Sequence, residues 1–180
     1  MREKLDVPNL SQPDSIFDLI NFRISEFYGV SGSLVTRICE GEFGVTREEW
    51  QFIAMLAHLG PLSPSELARR TTVDRAQASR TLRALSQKRL IFRQRVPGDG
   101  RRALVGLHDS GLVLYKRLFP RAREVHDAVL STLSVRERQV LATCLGKMQV
   151  RALEVANNGL VSAQANRRRG GSKRNWLGAL

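Results

Sequence analysis

The sequence is poor in the residue types that most catalytic and metal sites use. It has only three histidines, His58, His108 and His126, and they fall on separate predicted elements. Its two cysteines, Cys39 and Cys144, lie far apart in the chain and do not have the spacing of metal ligands. Phosphate-binding loops and nucleophile motifs are also missing from the sequence. We therefore expect no enzymatic activity, no cofactor and no bound metal.

Long apolar runs are missing as well. No window approaches the roughly 20 apolar residues that a transmembrane helix needs. The charged start, residues 1–6, lacks the apolar core of a signal peptide. Two isolated cysteines fit a reducing compartment, and free cysteines more often pack in a core than act as redox switches. The sequence predicts a soluble, cytoplasmic protein without a membrane partner, with Cys39 and Cys144 in its core.

Acidic residues are scarce relative to basic ones. Lys and Arg number 29 against 17 Asp and Glu, and the formal net charge is +12. The excess is uneven, since residues 66–102 carry 11 basic and 3 acidic side chains. Residues 157–180 carry five basic side chains and no acidic one. Such segregation indicates a polyanion-binding surface in the middle of the chain and a basic tail whose role is left open.

Apolar residues at three- and four-residue steps predict helices on both sides of the basic segment. A long helix is expected over 14–44, with a bend at Gly29 or Gly32. The patterns over 109–156 predict two more helices. Their apolar stripes are wider than one neighbour needs, so we expect 14–44 and 109–156 to form a homodimer. The capping signals that begin the other helices are Thr46 with Glu49, Ser63 with Glu66, Asp74, and Ser134 with Glu137.

Residues 45–108 have the element order of a winged helix-turn-helix. The helix that Ser63 caps is followed by a tight turn and by a helix over 74–90. Two extended runs, 91–96 and 103–107, then flank the turn-forming residues 97–102, which predicts a β-hairpin. The expected fold is mainly α with a small β-hairpin wing and a helical dimerisation region.

The polar residues of this segment suit double-stranded DNA. A major groove about 12 Å wide admits one helix, and Arg, Gln and Ser side chains can bind base edges there. The outward face of helix 74–90 carries Arg75, Gln77, Ser79, Arg80 and Arg83. Arg101 and Arg102 at the hairpin tip would reach a minor groove. The expected phosphate contacts are Ser63, Ser65, Arg69, Arg70, Arg93 and Arg95.

From about residue 14 to 156 the sequence resembles the MarR (multiple-antibiotic-resistance regulator) family of bacterial repressors and activators. The segments that carry the resemblance are 65–68 (SELA), 79–85 (SRTLRAL), 88–93 (KRLIFR) and the wing 99–111 (DGRRALVGLHDSG). The chain departs from the family pattern at His108, where a capping Thr is usual, so Asp109 or Ser110 is expected to cap the next helix. Arg89 stands in place of a common Gly.

The resemblance implies roles for individual residues. Ala76, Gln77 and Arg80 would occupy base-facing positions in an operator. Asp99 would hold the wing (93–105) by an ion pair, and Arg101 would enter the minor groove. The first helix and the last two would interlock with a second copy, so that the dimer reads a pseudo-palindromic operator.

The resemblance also implies a small-molecule effector, because family members commonly bind phenolic or carboxylate ligands between the dimerisation helices and the reading lobe. Tyr28, Trp50 and His58 are the candidates for such a pocket, although each residue type is more often part of a core. A constitutive or architectural DNA-binding protein without a ligand is the alternative. RNA binding is disfavoured because the stacking aromatics of RNA-binding modules are missing from the sequence.

Overall fold

The computed structural model describes residues 7–71, 73–96 and 99–163, and for 96 and 99–102 it describes the backbone alone. Within these described residues, six α-helices and one two-stranded antiparallel hairpin follow in the order that the sequence predicts. A 3₁₀ turn, Ile16–Asp18, which was not predicted, precedes them. The elements are α1 (Ile20–Phe43), α2 (Arg47–Leu59), α3 (Pro64–Arg70), α4 (Arg75–Gln87), β1 (Ile91–Val96), β2 (Asp99–Leu107), α5 (Asp109–Leu130) and α6 (Val135–Asn157).

The predicted starts of α2, α3, α4 and α6 are confirmed. Thr46 and Glu49 form a capping box at α2, in which the Glu49 carboxylate accepts the Thr46 N–H at 2.7 Å. Ser63 caps α3 with Pro64 in the first turn, and Asp74 caps α4 through the Gln77 N–H. Ser134 and Glu137 also form a capping box, at α6. These caps depend on contacts three residues apart, which is why local sequence predicts them.

The first helix begins later than expected and continues through both glycines. Leu19 is extended, with ψ 123°, and separates the 3₁₀ turn from α1. The Asp18 carboxylate explains the turn, because it accepts the N–H groups of Asn9 and Ser15 and the Ser15 hydroxyl. α1 then runs as one helix of 24 residues without a break at Gly29 or Gly32.

The end of α4 differs from the prediction. The helix ends at Gln87 rather than about Leu90, since Arg89 adopts a left-handed conformation with φ 52°. The Leu90 N–H then bonds the Leu85 carbonyl at 3.0 Å. Arg89 thus takes the conformation that a glycine would adopt more readily.

The hairpin is longer than expected. β2 begins at Asp99, four residues before the predicted strand start, and Val96 pairs with Asp99 after a register shift. The hairpin base is regular, from Ile91 opposite Leu107 to Arg95 opposite Ala103. A backbone bridge between Leu62 and Val105 attaches β2 to the segment before α3.

The core lies in the winged helix-turn-helix lobe and the adjoining part of α5. Apolar side chains from five elements meet there: Phe52 and Ile53 of α2, Leu67 of α3, Leu82 and Leu85 of α4, Val105 of β2 and Leu118 of α5. Cys39 is fully buried in this core, as expected. Burial raises the pKa of the Cys39 thiol to about 11, although the charge of Arg47 acts in the opposite direction. Cys39 is therefore a protonated packing residue at neutral pH.

The helices outside this core expose apolar side chains in the protomer. α6 contains no buried residue, and its Leu145 and Met148 are 47% and 39% exposed. Cys144 is exposed on the same helix, so its expected place in the core is wrong for the protomer. Within the described residues, none of the helices has the length and apolar character needed to cross a membrane.

The start of α5 also corrects an expectation. His108, rather than Asp109 or Ser110, occupies the N-cap position, and it makes no side-chain capping bond. Ser110 instead donates its hydroxyl to the Arg89 carbonyl at 2.6 Å. The first turn of α5 is thereby joined to the left-handed turn that follows α4.

Candidate DNA interface

α4 separates an apolar face from a polar one. Ala78, Leu82 and Leu85 are buried against the rest of the lobe. The opposite face contains the predicted base-contacting residues, of which Gln77 is half-buried and the others are exposed: Arg75, Ala76, Gln77, Ser79, Arg80 and Arg83. The structure therefore leaves this set free of the core and presents it on one side of one helix.

Two of these side chains are bound to each other. Arg80 donates Nη2–H and Nε–H to Gln77 Oε1, at 2.6 and 3.2 Å. The pair holds both side chains in a defined orientation while leaving the Gln77 amide N–H groups and the second Arg80 Nη for other acceptors. Base edges with acceptors, such as guanine O6 and N7, suit such a set of donors.

The predicted phosphate contacts on α3 lie at its start and in its last turn. Ser63 and Ser65 are within 3.1 Å of each other through their hydroxyls, and Ser65 is exposed. Arg70 donates twice to Glu66 at 3.1 Å, and Arg69 lies 3.6 Å from the same carboxylate oxygen. Exposed pairs of this kind stabilise a fold by only about 0–1 kcal/mol, so a phosphate could replace Glu66 as the partner of either arginine.

A shallow groove brings α3, α4 and β1 together. Its volume is about 400 Å³, and the apolar residues Ala68, Ala78 and Leu82 contribute to its lining. Its polar lining consists of Ser65, Arg75, Ser79 and Arg93, all predicted to bind DNA. Arg95 is exposed two residues beyond Arg93 along β1. Asp99, Arg101 and Arg102 belong to β2 by their backbone, but their side chains lie outside the described residues.

The three predicted pocket residues do not form one group. Tyr28 of α1 is half exposed and packs beneath the Arg47 guanidinium, 4.1 Å from the ring centre. Trp50 is buried and stacks on Tyr115 of α5 at 5.6 Å between ring centres. Arg47 and Trp50 are one turn apart on α2, so Tyr28 and Trp50 share one end of that helix. His58 is exposed about 12 Å further along α2 and stands apart from them.

Sequence reasoning missed Arg47 and Tyr115. Arg47 supplies a guanidinium between α1 and α2, and a β-carbon at Gly32 would lie 3.1 Å from it. Gly32 therefore makes room for this side chain. The signal available in the sequence was the spacing of Arg47 three residues before Trp50, which puts both on one face of a helix.

Comparisons with known proteins agree with this architecture. The sequence pattern of the MarR family matches residues 43–102, from the end of α1 into β2. The transcriptional repressor NicR of Pseudomonas putida is 32% identical over 100 residues, which are 54% of this chain and 63% of NicR. The aligned part is thus less than two thirds of that relative.

Solved structures show the same fold along most of the chain. Staphylococcus aureus MepR, in a complex with DNA, superposes with a TM-score of 0.67 over 74% of this chain and 98% of MepR, at 23% identity. NadR in complex with 4-hydroxyphenylacetate gives a TM-score of 0.65 over 77% of this chain and 96% of NadR, at 22% identity. The chain is a winged helix-turn-helix protein. Over residues 43–102 it is similar to the MarR family.

Proposed function

We propose that this chain is a cytoplasmic, non-catalytic transcription regulator that binds double-stranded DNA as a homodimer. α4 enters the major groove of each half of a pseudo-palindromic operator, and the hairpin approaches the adjacent minor groove. The observation that carries this proposal is the groove in which Ser65, Arg75, Ser79 and Arg93 converge from three elements. The MepR structure, which contains DNA, supports the same use of the fold.

The contacts divide into those that read sequence and those that position the protein. Arg75, Ala76, Gln77, Ser79, Arg80 and Arg83 face the bases. Ser63, Ser65, Arg69, Arg70, Arg93 and Arg95 bind phosphates, and Asp99, Arg101 and Arg102 belong to the wing contacts. This division makes the two sets separable by salt dependence, since a phosphate contact releases counterions whatever the sequence.

A second copy would cover the exposed apolar faces of α1, α5 and α6. Phe27 of α1 is 58% exposed, Phe119 of α5 is 47% exposed and Val140 of α6 is 54% exposed. Exposed apolar side chains on all three helices favour an isologous two-fold interface. Light scattering should give twice the protomer mass of 20.2 kDa, and a stable monomer at micromolar concentration would contradict the dimer.

We further propose that a small aromatic carboxylate regulates DNA binding. NadR, which has the same fold, binds 4-hydroxyphenylacetate. The start of α2 offers matching chemistry here, because the Arg47 guanidinium lies over Tyr28 and one turn from the Trp50–Tyr115 stack. We expect 4-hydroxyphenylacetate to release bound DNA from the wild-type protein. This release should be weaker in Arg47→Met and should be retained in His58→Ala.

The DNA-binding proposal is tested by selection of bound sequences from random duplexes, followed by footprinting. A regulator should protect one pseudo-palindrome at nanomolar protein, with its half-sites about 10–10.5 base pairs apart. A constitutive architectural protein should instead coat DNA uniformly. Uniform coating that persists with and without aromatic carboxylates would overturn the regulator proposal in favour of that alternative.

A further inference from the structure

The residue that follows α4 ties the end of this helix to two other helices. Lys88 Nζ donates to Glu49 Oε2 at 2.6 Å and to the Gly44 carbonyl at 2.8 Å. Gly44 is the C-cap of α1, and Glu49 belongs to the first turn of α2. One ammonium group therefore joins the end of α4, the helix proposed to read the DNA sequence, to the end of α1 and the start of α2.

The Glu49 carboxylate makes this contact hard to replace. Glu49 is only 2% exposed, and the oxygen that binds Lys88 also accepts the Thr46 N–H. A buried carboxylate that loses its cation is strongly unfavourable. Lys88 is consequently committed to the interior contact. Its own side chain is 39% exposed, but its partner is buried, whereas Arg69 and Arg70 of the basic segment 66–102 pair with Glu66, which is 33% exposed.

The two residues after Lys88 are fixed on the other side. The Arg89 carbonyl accepts the Ser110 hydroxyl, and the Leu90 carbonyl accepts the His108 N–H at 3.0 Å. Both partners belong to the start of α5. α5 in turn is joined to α1 by Arg121, which donates to both carboxylate oxygens of Glu42. The end of α4 is thus held between α1 and α5.

From this arrangement we propose that Lys88 is a positioning residue that sets the orientation of α4 relative to the dimerisation helices. It thereby sets the separation of the two reading helices in the dimer. This inference rests on the proposed function. α4 is about 20 Å long, so a tilt of about 10° at Lys88 would move Arg75 by about 3 Å, close to the rise of one base pair.

The experiment compares wild type with Lys88→Met, which keeps an apolar stem and removes the ammonium. The probes are the duplex that wild type selects from random DNA, the same duplex with one base pair added or removed between half-sites, and a single half-site. Wild type should lose about tenfold in affinity on either change of spacing. Lys88→Met should bind all three spacings within about threefold, and the single half-site within twofold of wild type.

Two further variants separate positioning from stability. Lys88→Arg keeps the cation and should restore the spacing preference. Lys88→Met/Glu49→Gln removes the uncompensated charge and retains an acceptor for the Thr46 N–H. It should regain thermal stability without regaining the spacing preference. A spacing preference that returns together with stability would show that Lys88 only neutralises Glu49.

The controls also separate failure of this inference from failure of the proposed function. If wild type binds every spacing and the single half-site equally, the paired reading helices themselves are refuted, and the positioning role with them. If wild type discriminates spacing and Lys88→Met discriminates equally well, the positioning role alone is overturned.

Discussion

Gly111 lies directly against the carbonyl group of Leu90. A β-carbon at Gly111 would sit 2.2 Å from the Leu90 oxygen and 3.2 Å from its carbonyl carbon. The obstacle is backbone, which cannot rotate away as a side chain can. The first turn of α5 therefore approaches the segment between α4 and β1 as closely as two backbones allow.

Gly111→Ala should consequently be one of the most damaging small substitutions in the chain. We expect it to lower the free energy of unfolding by more than about 2 kcal/mol, because the two segments must separate and the bonds around Leu90 must lengthen. Urea denaturation measures this. Gly41→Ala is the matched control, since a β-carbon there meets no atom within 4 Å and should stabilise α1 by about 0.5–1 kcal/mol. Equal effects of the two substitutions would contradict the close approach.

Arg89→Gly should act in the opposite direction. Arg89 has φ 52°, a conformation that costs a non-glycine residue roughly 1–2 kcal/mol. Glycine removes that strain but makes the unfolded chain more flexible, so the expected net gain in stability is about 0.5–1 kcal/mol. Arg83→Gly, in the interior of α4, should instead destabilise by about 1 kcal/mol. Thermal unfolding monitored by circular dichroism distinguishes the two, and a loss of stability in Arg89→Gly would refute the strain.

The ends of the helices show where sequence reasoning succeeded and where it stopped. The caps at Thr46, Ser63, Asp74 and Ser134 were predictable because each depends on hydrogen bonds within four residues. The end of α4 was not, because the left-handed Arg89 is held by Ser110, which is 21 residues away.

The candidate site divides in the same way. The outer face of α4 followed from helical periodicity, since its apolar stripe fixes which residues face away from the core. The Lys88 contact was missed because its partners lie 39 and 44 residues earlier in the chain. His58 lies eight residues beyond Trp50, about 12 Å along the axis of α2, and its place in a ligand pocket stays a prediction.

Acid should loosen the contact between α1 and α5. Hydrogen bonds from Arg121 hold the pKa of the Glu42 carboxyl below its usual value of 4.5. A lowered pKa in the folded state contributes stability that is present above pH 4.5 and is lost as the pH falls through the folded value. Glu42→Gln should therefore show a smaller loss of melting temperature than wild type between pH 5 and pH 3. Glu40→Gln, an exposed carboxylate on the same helix, is the charge-matched control and should follow wild type.

Residues proposed to contact bases and residues proposed to contact phosphates should respond differently to substitution, and this difference tests the interface. Arg80 faces outward and bonds Gln77, away from the buried Leu82 and Leu85, so Arg80→Ala should change stability by no more than about 0.5 kcal/mol. On DNA it should relax sequence preference at one position in each half-site, at a cost of about 1–3 kcal/mol on the preferred duplex.

Arg69→Ala should behave differently although it removes the same charge. A phosphate contact carries no sequence information, so affinity should fall alike for operator and random duplexes, and the slope of log K against log salt should decrease by about one unit. The measurement is a salt titration of both variants on both DNAs. If Arg80→Ala weakens binding to both DNAs equally and Arg69→Ala shifts the sequence preference, the two assignments are reversed: Arg69 contacts bases and Arg80 contacts phosphate. In that case the α3 side of the groove between α3 and α4 would face the bases.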